Sequence, residues 1–280
     1  MNRLLTYWRG AAIDRTTGID TACQPKHYRE DLVGDGLRRY FATSVGDHHT
    51  LRESIFVQTK FTPPAGQHLG NCPYDPAGSI RGMVCASVST SLSHLDTRYL
   101  DSVLLHSPLE RHSDTLEAYG ALEQFVASGK IRHIGISNVT LHELERLYDE
   151  CSVKPAIVQN RFYPGNKWDV NVRRFCREKG MVWQSFWTLT GNPDLLGCGV
   201  VRQVADRVLG DDRRREEALY LLVLSLGRGW NNGGGVAVLN GTTREAAMKS
   251  DCNAARLVCE LTDDEVLEFS RLTGEDGCDY

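Results

Sequence analysis

Three residues suited to acid–base chemistry each follow a short apolar run of the sequence. They are Asp20, Lys60 and His106. Short apolar runs are typical of buried strands, and the carboxyl ends of parallel strands meet around one mouth in an α/β barrel. We therefore expect the carboxylate, the amine and the imidazole to lie close together. A pairing of Asp20 with Lys60 is physically reasonable there, because an ionised group buried without a partner is costly.

A tyrosine in the segment after Asp20 could complete a group that transfers a proton. A nearby lysine cation stabilises a phenolate, lowers the pKa of the tyrosine and makes its hydroxyl a better proton donor. Tyr28 could be that tyrosine, with Lys60 as the cation. The alternative is purely structural, because a salt bridge and a hydrogen-bonded histidine at a strand end would also account for these residues.

Two further apolar runs end in small polar residues. Residues 134–136 precede Ser137 and Asn138, and residues 156–158 precede Gln159. Polar side chains at strand ends are placed where a barrel carries out its chemistry. Taken alone, Ser137 and Asn138 also fit a plain turn that leads into a helix, so a structural role stays open for them.

Apolar runs and amphipathic segments alternate along the chain at the spacing of βαβ units, which favours a parallel sheet. The predicted strands begin near residues 17, 55, 101, 131, 156, 181 and 236. A closed (β/α)8 barrel requires eight strands, so these seven predict a barrel that is possibly incomplete. Residues 4–14 have the spacing of the end of a helix, and the first strand is therefore predicted to be absent. The whole chain, residues 1–280, is predicted to form one domain.

Composition excludes several classes of protein. The chain has 41% hydrophobic residues and a formal net charge of -4, without a basic run that would indicate a nucleic-acid surface. No apolar stretch reaches the roughly 18 residues of a membrane span, and no signal peptide is recognisable. The nine cysteines are scattered without a Cys-x-x-Cys motif. This pattern predicts reduced thiols in the cytoplasm and no metal site.

Five segments in the same order resemble the aldo-keto reductase family. They are residues 19–22, 58–61, 104–108, 129–138 and 158–160. Residues 20–28 look most like fungal members, and the resemblance runs from about residue 4 to the end. It implies a (β/α)8 TIM barrel that reduces a small-molecule aldehyde or ketone with NADPH, with NADH as a possible alternative.

The resemblance also implies catalytic roles. Tyr28 would be the general acid that protonates the carbonyl oxygen, and Lys60, paired with Asp20, would tune it. His106 would orient and polarise the carbonyl. The segment from Asp20 to Tyr28 is longer than the family's usual one.

For the cofactor, the resemblance implies contacts from several strand ends. Ser137, Asn138 and Gln159 would hold the nicotinamide carboxamide. Trp187 would stack on the nicotinamide ring, although an aromatic at this position also fits an ordinary core. Thr188 would lie at the phosphates.

Residues 239–243 align with the family's segment that binds the 2′-phosphate of NADP. Asn240 stands where the family usually has a lysine, and Thr242 belongs to the same segment. Arg244 and Lys249 are candidate phosphate partners, but each also fits a solvated charge on a helix.

A non-redox role on the same scaffold is the alternative function. A truncated or repurposed barrel could act as a cyclase or dehydratase, or as a regulatory binding protein. The missing first strand favours this alternative, whereas the four catalytic side chains favour the reductase. Fold alone does not choose between them. In either case, the segments 62–78, 161–168 and 192–210 are expected to be loops that shape the pocket.

Overall fold

The computed structural model describes residues 3–7, 17–44, 46–230 and 233–275. Within these residues the chain has eight β-strands and eleven α-helices. They divide into two compact units. The first unit holds the described residues between 18 and 158, and the second holds those from 159 onward together with residues 4–7. No helix in the described part of the chain is long and apolar enough to cross a membrane.

Parallel strands form the centre of the first unit. They are β2 (Thr17–Asp20), β3 (Phe56–Phe61), β4 (Leu100–Leu105) and β5 (Ile131–Ser137), and β6 (Ile157–Arg161) contributes its first two residues. The register pairs Asp20 with Gln58 and Phe61 with Leu105. Every residue of β3 and β4 is buried, as expected for strands covered on both faces.

Five helices follow the strands of the first unit. They are α1 (Glu30–Thr43), α2 (His48–Glu53), α3 (Ile80–His94), α4 (His112–Ala127) and α5 (Leu141–Glu150). A glycine allows α1 to approach α3, because a Cβ atom on Gly34 would lie 1.9 Å from the carbonyl oxygen of His94. At the start of α5, Thr140 and Glu143 form a reciprocal capping box that fixes where the helix begins.

The second unit contains a strand where the sequence predicted the end of a helix. Strands β7 (Val182–Phe186) and β8 (Gly235–Asn240) are parallel, and β1 (Arg3–Tyr7) pairs with β8 in the antiparallel direction. The helix prediction for residues 4–14 is therefore wrong at residues 4–7. Its remaining part, residues 8–14, lies outside the described residues. A short apolar segment does not distinguish helix from strand by its spacing, and here the hydrogen bonds that β8 offers decide the outcome.

Six helices belong to the second unit. They are α6 (Val170–Lys179), α7 (Pro193–Gly197), α8 (Gly199–Leu209), α9 (Arg215–Ser225), α10 (Glu245–Ala255) and α11 (Asp263–Leu272). The prediction of a loop at residues 192–210 is wrong, because α7 and α8 occupy that segment. In α8, Val200, Val201 and Val204 are buried at helical spacing. Their β-branched side chains have low helix propensity, so tertiary burial outweighs the local preference.

Candidate active site

A buried ion pair joins the ends of β2 and β3. The Nζ atom of Lys60 lies 2.7 Å from each carboxylate oxygen of Asp20, and both side chains are fully buried. Lys60 also donates to the carbonyl oxygen of Thr21 at 3.0 Å, and Gln58 Nε2 donates to Asp20 Oδ1 at 2.7 Å. These additional hydrogen bonds offset part of the desolvation cost of two buried charges. The structure thus brings together the carboxylate and the amine singled out in the sequence.

Tyr28 lies close to the ion pair of Asp20 and Lys60. The Nζ atom of Lys60 is 5.6 Å from the centroid of the Tyr28 ring. The rings of Tyr28 and His106 are 5.9 Å apart between centroids and meet edge to face at 68°. Tyr28 is half-buried, so a small molecule can reach it. The phenol, the amine and the imidazole, which are far apart in sequence, therefore meet in one place.

A hydrogen-bonded turn carries Tyr28 to this position. The backbone N–H groups of His27 and Tyr28 donate to the carbonyl oxygen of Gln24 at 3.1 and 3.0 Å. The buried Gln24 side chain donates through Nε2 to the carbonyl oxygen of Gly66 at 2.7 Å. This bond anchors the segment after β2 to the segment after β3.

Three hydrogen bonds hold His106 at the end of β4. Its backbone N–H donates to the carbonyl oxygen of Phe61 at 2.8 Å, and its carbonyl oxygen accepts from Asn138 Nδ2 at 2.8 Å. The third joins His106 Nδ1 to Thr62 Oγ1 at 2.6 Å. Sequence reasoning missed Thr62. The sequence signal that could have identified Thr62 is its position two residues after Lys60. The register of β3 and β4 places that position beside the end of β4.

Ser137 and Asn138 occupy the end of β5. Ser137 is buried, and Asn138 Nδ2 lies 3.2 Å from its hydroxyl oxygen. The backbone of Asn138 is left-handed, with φ of 53°. Asparagine tolerates this region better than most residues, and backbone strain of this kind clusters at functional sites. The strained backbone aims the amide back toward His106.

A cavity of about 440 Å³ adjoins Tyr28 in the first unit. Gln24, Asn71 and His94 line it together with buried Glu30. The Glu30 carboxylate accepts a hydrogen bond from His94 and so raises the pKa of His94 above its usual value. The cavity is of a size that holds a small-molecule ligand, and its walls offer hydrogen bonds.

In the second unit, Gln159 is the middle residue of β6, and Thr188 follows the last residue of β7 by two positions. Gln159 Nε2 donates to Gln184 Oε1 at 2.8 Å, and both side chains are buried. The hydroxyl of Thr188 lies 3.0 Å from that of Ser185 and is also buried. Both residues that are predicted to bind the cofactor thus have buried, hydrogen-bonded side chains.

Trp187 has a partly exposed ring on a constrained backbone. It is 45% exposed, although it directly follows the buried strand β7, and its φ is 63°. The guanidinium of Arg161 lies 4.6 Å from the centroid of the indole, and Tyr163 meets the indole edge to face at 6.0 Å. A fixed aromatic surface with an exposed part suits stacking against a planar ring.

At the end of β8, Asn240 is 2% exposed and donates through Nδ2 to Asp251 Oδ2 at 2.7 Å. Burial raises the pKa of Asp251 to about 6, and Glu217 adds to this effect. Asn240 is therefore a neutral, buried amide at the position where the resemblance implies a phosphate-binding cation.

Two nearby cations differ in their surroundings. Arg244 is exposed, and its backbone N–H donates to Thr242 Oγ1 at 3.2 Å. Lys249 forms an ion pair with Glu245 at 2.6 Å. Of the two, Arg244 is the better placed to meet an anionic group from solvent.

Comparison with known proteins identifies relatives of this chain. A family model described as the Aldo/keto reductase family matches residues 16–192. The uncharacterized oxidoreductase YtbE of Bacillus subtilis (strain 168) is 30% identical over 271 residues, which cover 97% of this chain and 84% of YtbE. Glyoxal reductase of the same strain is 33% identical over 191 residues, which cover 68% of this chain and 59% of that protein.

A solved structure gives the fold. The crystal structure of an aldo-keto reductase (AKR2E5) complexed with NADPH matches with a TM-score of 0.68 and 19% identity, covering 91% of this chain and 73% of that one. The predicted fold class, a (β/α)8 barrel with seven recognisable parallel strands, is thereby confirmed. The chain belongs to the aldo/keto reductase family, a family of oxidoreductases that use nicotinamide cofactors.

Proposed function

We propose that this protein reduces a small aldehyde or ketone to an alcohol, with NADPH as the cofactor and NADH as a possible alternative. The observation that carries the proposal is the arrangement around Tyr28. Its ring lies 5.6 Å from Lys60 Nζ and 5.9 Å from the His106 ring. Lys60 is in turn bound by buried Asp20.

Proton transfer follows from these residues. The Tyr28 hydroxyl donates its proton to the carbonyl oxygen, and a negative charge develops on the phenol oxygen. The Lys60 cation stabilises that charge, and Asp20 keeps Lys60 in place. Because Tyr28 is half-buried, solvent can return the proton after the alcohol leaves. His106 orients the carbonyl beside Tyr28.

A bound reduced nicotinamide supplies the hydride. Ser137, Asn138 and Gln159 are proposed to bind its carboxamide, because each offers a polar side chain within a strand or directly after one. Trp187 is proposed to stack on its ring, which its 45% exposure supports. Thr188 is assigned to the phosphates.

The residues proposed to bind the adenosine end of the cofactor fit NADPH less well. Asn240 is a buried neutral amide and does not supply the charge that a 2′-phosphate requires. Thr242 and the exposed Arg244 are the proposed contacts there. NADPH binding through this segment would therefore depend mainly on Arg244.

The substrate is proposed to be a small carbonyl compound. The relative named glyoxal reductase supports this size. Of the four proposed catalytic residues, only Tyr28 lines the 440 Å³ cavity, so the cavity does not by itself define the substrate site. We also propose that residues 1–280 act as one catalytic domain. A cytoplasmic location is proposed from the absence of disulfide-type spacing among the cysteines.

Binding and turnover test the proposal separately. NADPH or NADH is titrated into the protein while tryptophan fluorescence is followed, and Trp187→Phe identifies the ring responsible. We expect quenching that is lost in this variant. The absence of quenching with either cofactor in folded protein would remove the reductase proposal.

Tyr28→Phe tests the proton donor. We expect turnover of a test aldehyde to fall at least about a thousandfold, because this variant removes the general acid but keeps the ring. Cofactor affinity should change less than about twofold. Tyr40→Phe, at an exposed tyrosine, is the matched control. Substantial turnover by Tyr28→Phe would mean that another group donates the proton.

A repurposed scaffold is the second candidate function. It is favoured by β1, which pairs with β8 in the antiparallel direction, whereas a (β/α)8 barrel has parallel strands. Such a protein could act as a cyclase or dehydratase or bind a regulatory ligand. Failure to bind either cofactor, together with ligand binding at the Tyr28 cavity, would support it.

A further inference from the structure

We propose that Thr62 is a positioning residue for His106. Its hydroxyl donates to His106 Nδ1 and thereby keeps the proton of the neutral imidazole on Nε2, where it can be donated to the substrate carbonyl. This inference rests on the proposed function and adds a residue that the catalytic group of Asp20, Tyr28, Lys60 and His106 does not include.

The strand register places the two residues side by side. Phe61, the last residue of β3, pairs with Leu105, the last residue of β4. Thr62 and His106 are the next residues along each strand. The His106 N–H donates to the carbonyl oxygen of Phe61 at 2.8 Å, which continues the ladder by one bond. At this level Thr62 Oγ1 and His106 Nδ1 approach to 2.6 Å.

Thr62 is held firmly enough to act as a fixed donor. It is 3% exposed, and its carbonyl oxygen accepts hydrogen bonds from the Tyr74 hydroxyl and from Gln67 Nε2. Pro63 and Pro64 follow and restrict the backbone of the segment. A buried hydroxyl that turned away from His106 would lose its hydrogen-bond partner, which costs free energy.

The direction of this hydrogen bond determines the chemistry. A neutral imidazole has one nitrogen that donates and one that accepts. If the Thr62 hydroxyl donates to Nδ1, the ring proton must be on Nε2. Only this tautomer can donate a hydrogen bond from Nε2 to a carbonyl oxygen, because the other presents a lone pair there. Thr62 would therefore select the useful tautomer as well as the ring orientation.

Two further contacts of His106 do not involve a ring nitrogen as donor or acceptor. Asn138 Nδ2 donates to the His106 carbonyl oxygen at 2.8 Å, and the Tyr28 ring packs edge to face against the imidazole. None of these contacts specifies which ring nitrogen carries the proton. The Thr62 contact does bear on it, because it reaches the ring nitrogen Nδ1.

Two substitutions separate the hydroxyl from the shape of the side chain. Thr62→Val has nearly the same shape but lacks the hydroxyl, whereas Thr62→Ser keeps it. We expect kcat/KM for a test aldehyde to fall about 10- to 100-fold in Thr62→Val, the range for a lost hydrogen bond in the transition state. Thr62→Ser should stay within about threefold of the wild type. The Kd for NADPH, measured by fluorescence, should be unchanged in both.

The tautomer is measured directly by 15N NMR of histidine side chains. The His106 signals are identified by their loss in His106→Asn. In the wild type and in Thr62→Ser we expect a protonated Nε2 and an unprotonated Nδ1. In Thr62→Val we expect a mixture of tautomers, which a merely structural role for Thr62 would not produce.

Two results would overturn the inference: a proton on Nδ1 of wild-type His106, or turnover by Thr62→Val equal to that of Thr62→Ser. If Thr62→Val fails to fold, the NMR of the wild type and Thr62→Ser still decides. Absence of cofactor binding by the wild type would count against the proposed function, whereas the NMR result would still report on Thr62.

Discussion

Buried carboxylates in the two units have partners of different charge. In the first unit, Asp20 accepts from the Lys60 ammonium at 2.7 Å. In the second, Asp169 accepts from the neutral indole N–H of Trp183 at 2.8 Å. Burial raises the pKa of Asp169 to about 6, because the indole bond offsets only part of the desolvation cost. The Asp20 carboxylate is thus bound directly by a cation, whereas Asp169 is bound by neutral donors and feels the Arg173 cation only through space.

The end of β8 repeats the second arrangement. Asp251 is bound by the Asn240 amide, and burial raises its pKa to about 6 as well. The resemblance implies a lysine at position 240, so the cation has been lost at the cofactor end but kept beside Tyr28. The proposed proton-transfer group therefore contains a buried cation, whereas the segment proposed to bind the 2′-phosphate has a neutral amide at position 240.

Removing the cation from the first unit should have the largest effect. We expect Lys60→Met to lower the free energy of unfolding by about 3–5 kcal/mol, because Asp20 would remain buried without its partner. Chemical denaturation followed by fluorescence measures this loss. The double variant Asp20→Asn/Lys60→Met is the control and should recover about half of it. A loss below about 1 kcal/mol would mean that Asp20 and Lys60 are not shielded from water to the extent that the structure shows.

Asp169→Asn should change the pH dependence of stability. The pKa of Asp169 is about 6 in the folded protein against an ordinary value of 3.8, so the folded state holds the proton more tightly. Stability contributed by this group is therefore lost as the pH rises from about 4 to 6. The Asp169→Asn variant has no carboxyl group to ionise, so it does not lose this stability as the pH rises. Its amide oxygen can still accept from Trp183.

The free energy of unfolding of Asp169→Asn relative to the wild type should therefore increase by about 2 kcal/mol between pH 4.5 and 7.5. Urea denaturation at both pH values measures it. A difference independent of pH would show that Asp169 is ionised without penalty, which would remove the contrast between the units.

The smallest effect is expected at the cofactor end. Arg244→Ala should weaken NADPH binding about five- to tenfold and leave NADH binding within about twofold, because an exposed charge contributes about 1 kcal/mol. Fluorescence titration measures both affinities. Lys249→Ala is the matched control and should have little effect, since Lys249 is already paired with Glu245. An equal loss for both cofactors would mean that Arg244 does not contact the 2′-phosphate.

Much of the first unit could be predicted from sequence. Asp20, Lys60 and His106 each end an apolar run, and parallel strands bring such ends together. The second unit was less predictable. Valine-rich α8 has low local helix propensity, and residues 3–7 are too short to reveal strand or helix by spacing. Both elements depend on the surfaces that the rest of the chain provides.

The sequence by itself determined which chemical groups are present at the strand ends and the order in which they occur. The tertiary structure decided their partners: Thr62 with His106 across 44 residues, and Asn240 with Asp251 across 11. Hydrogen bonds of this kind depend on strand register and on helix placement to within a fraction of an ångström. Local sequence patterns do not specify distances of that order, so these pairings are visible only in the folded chain.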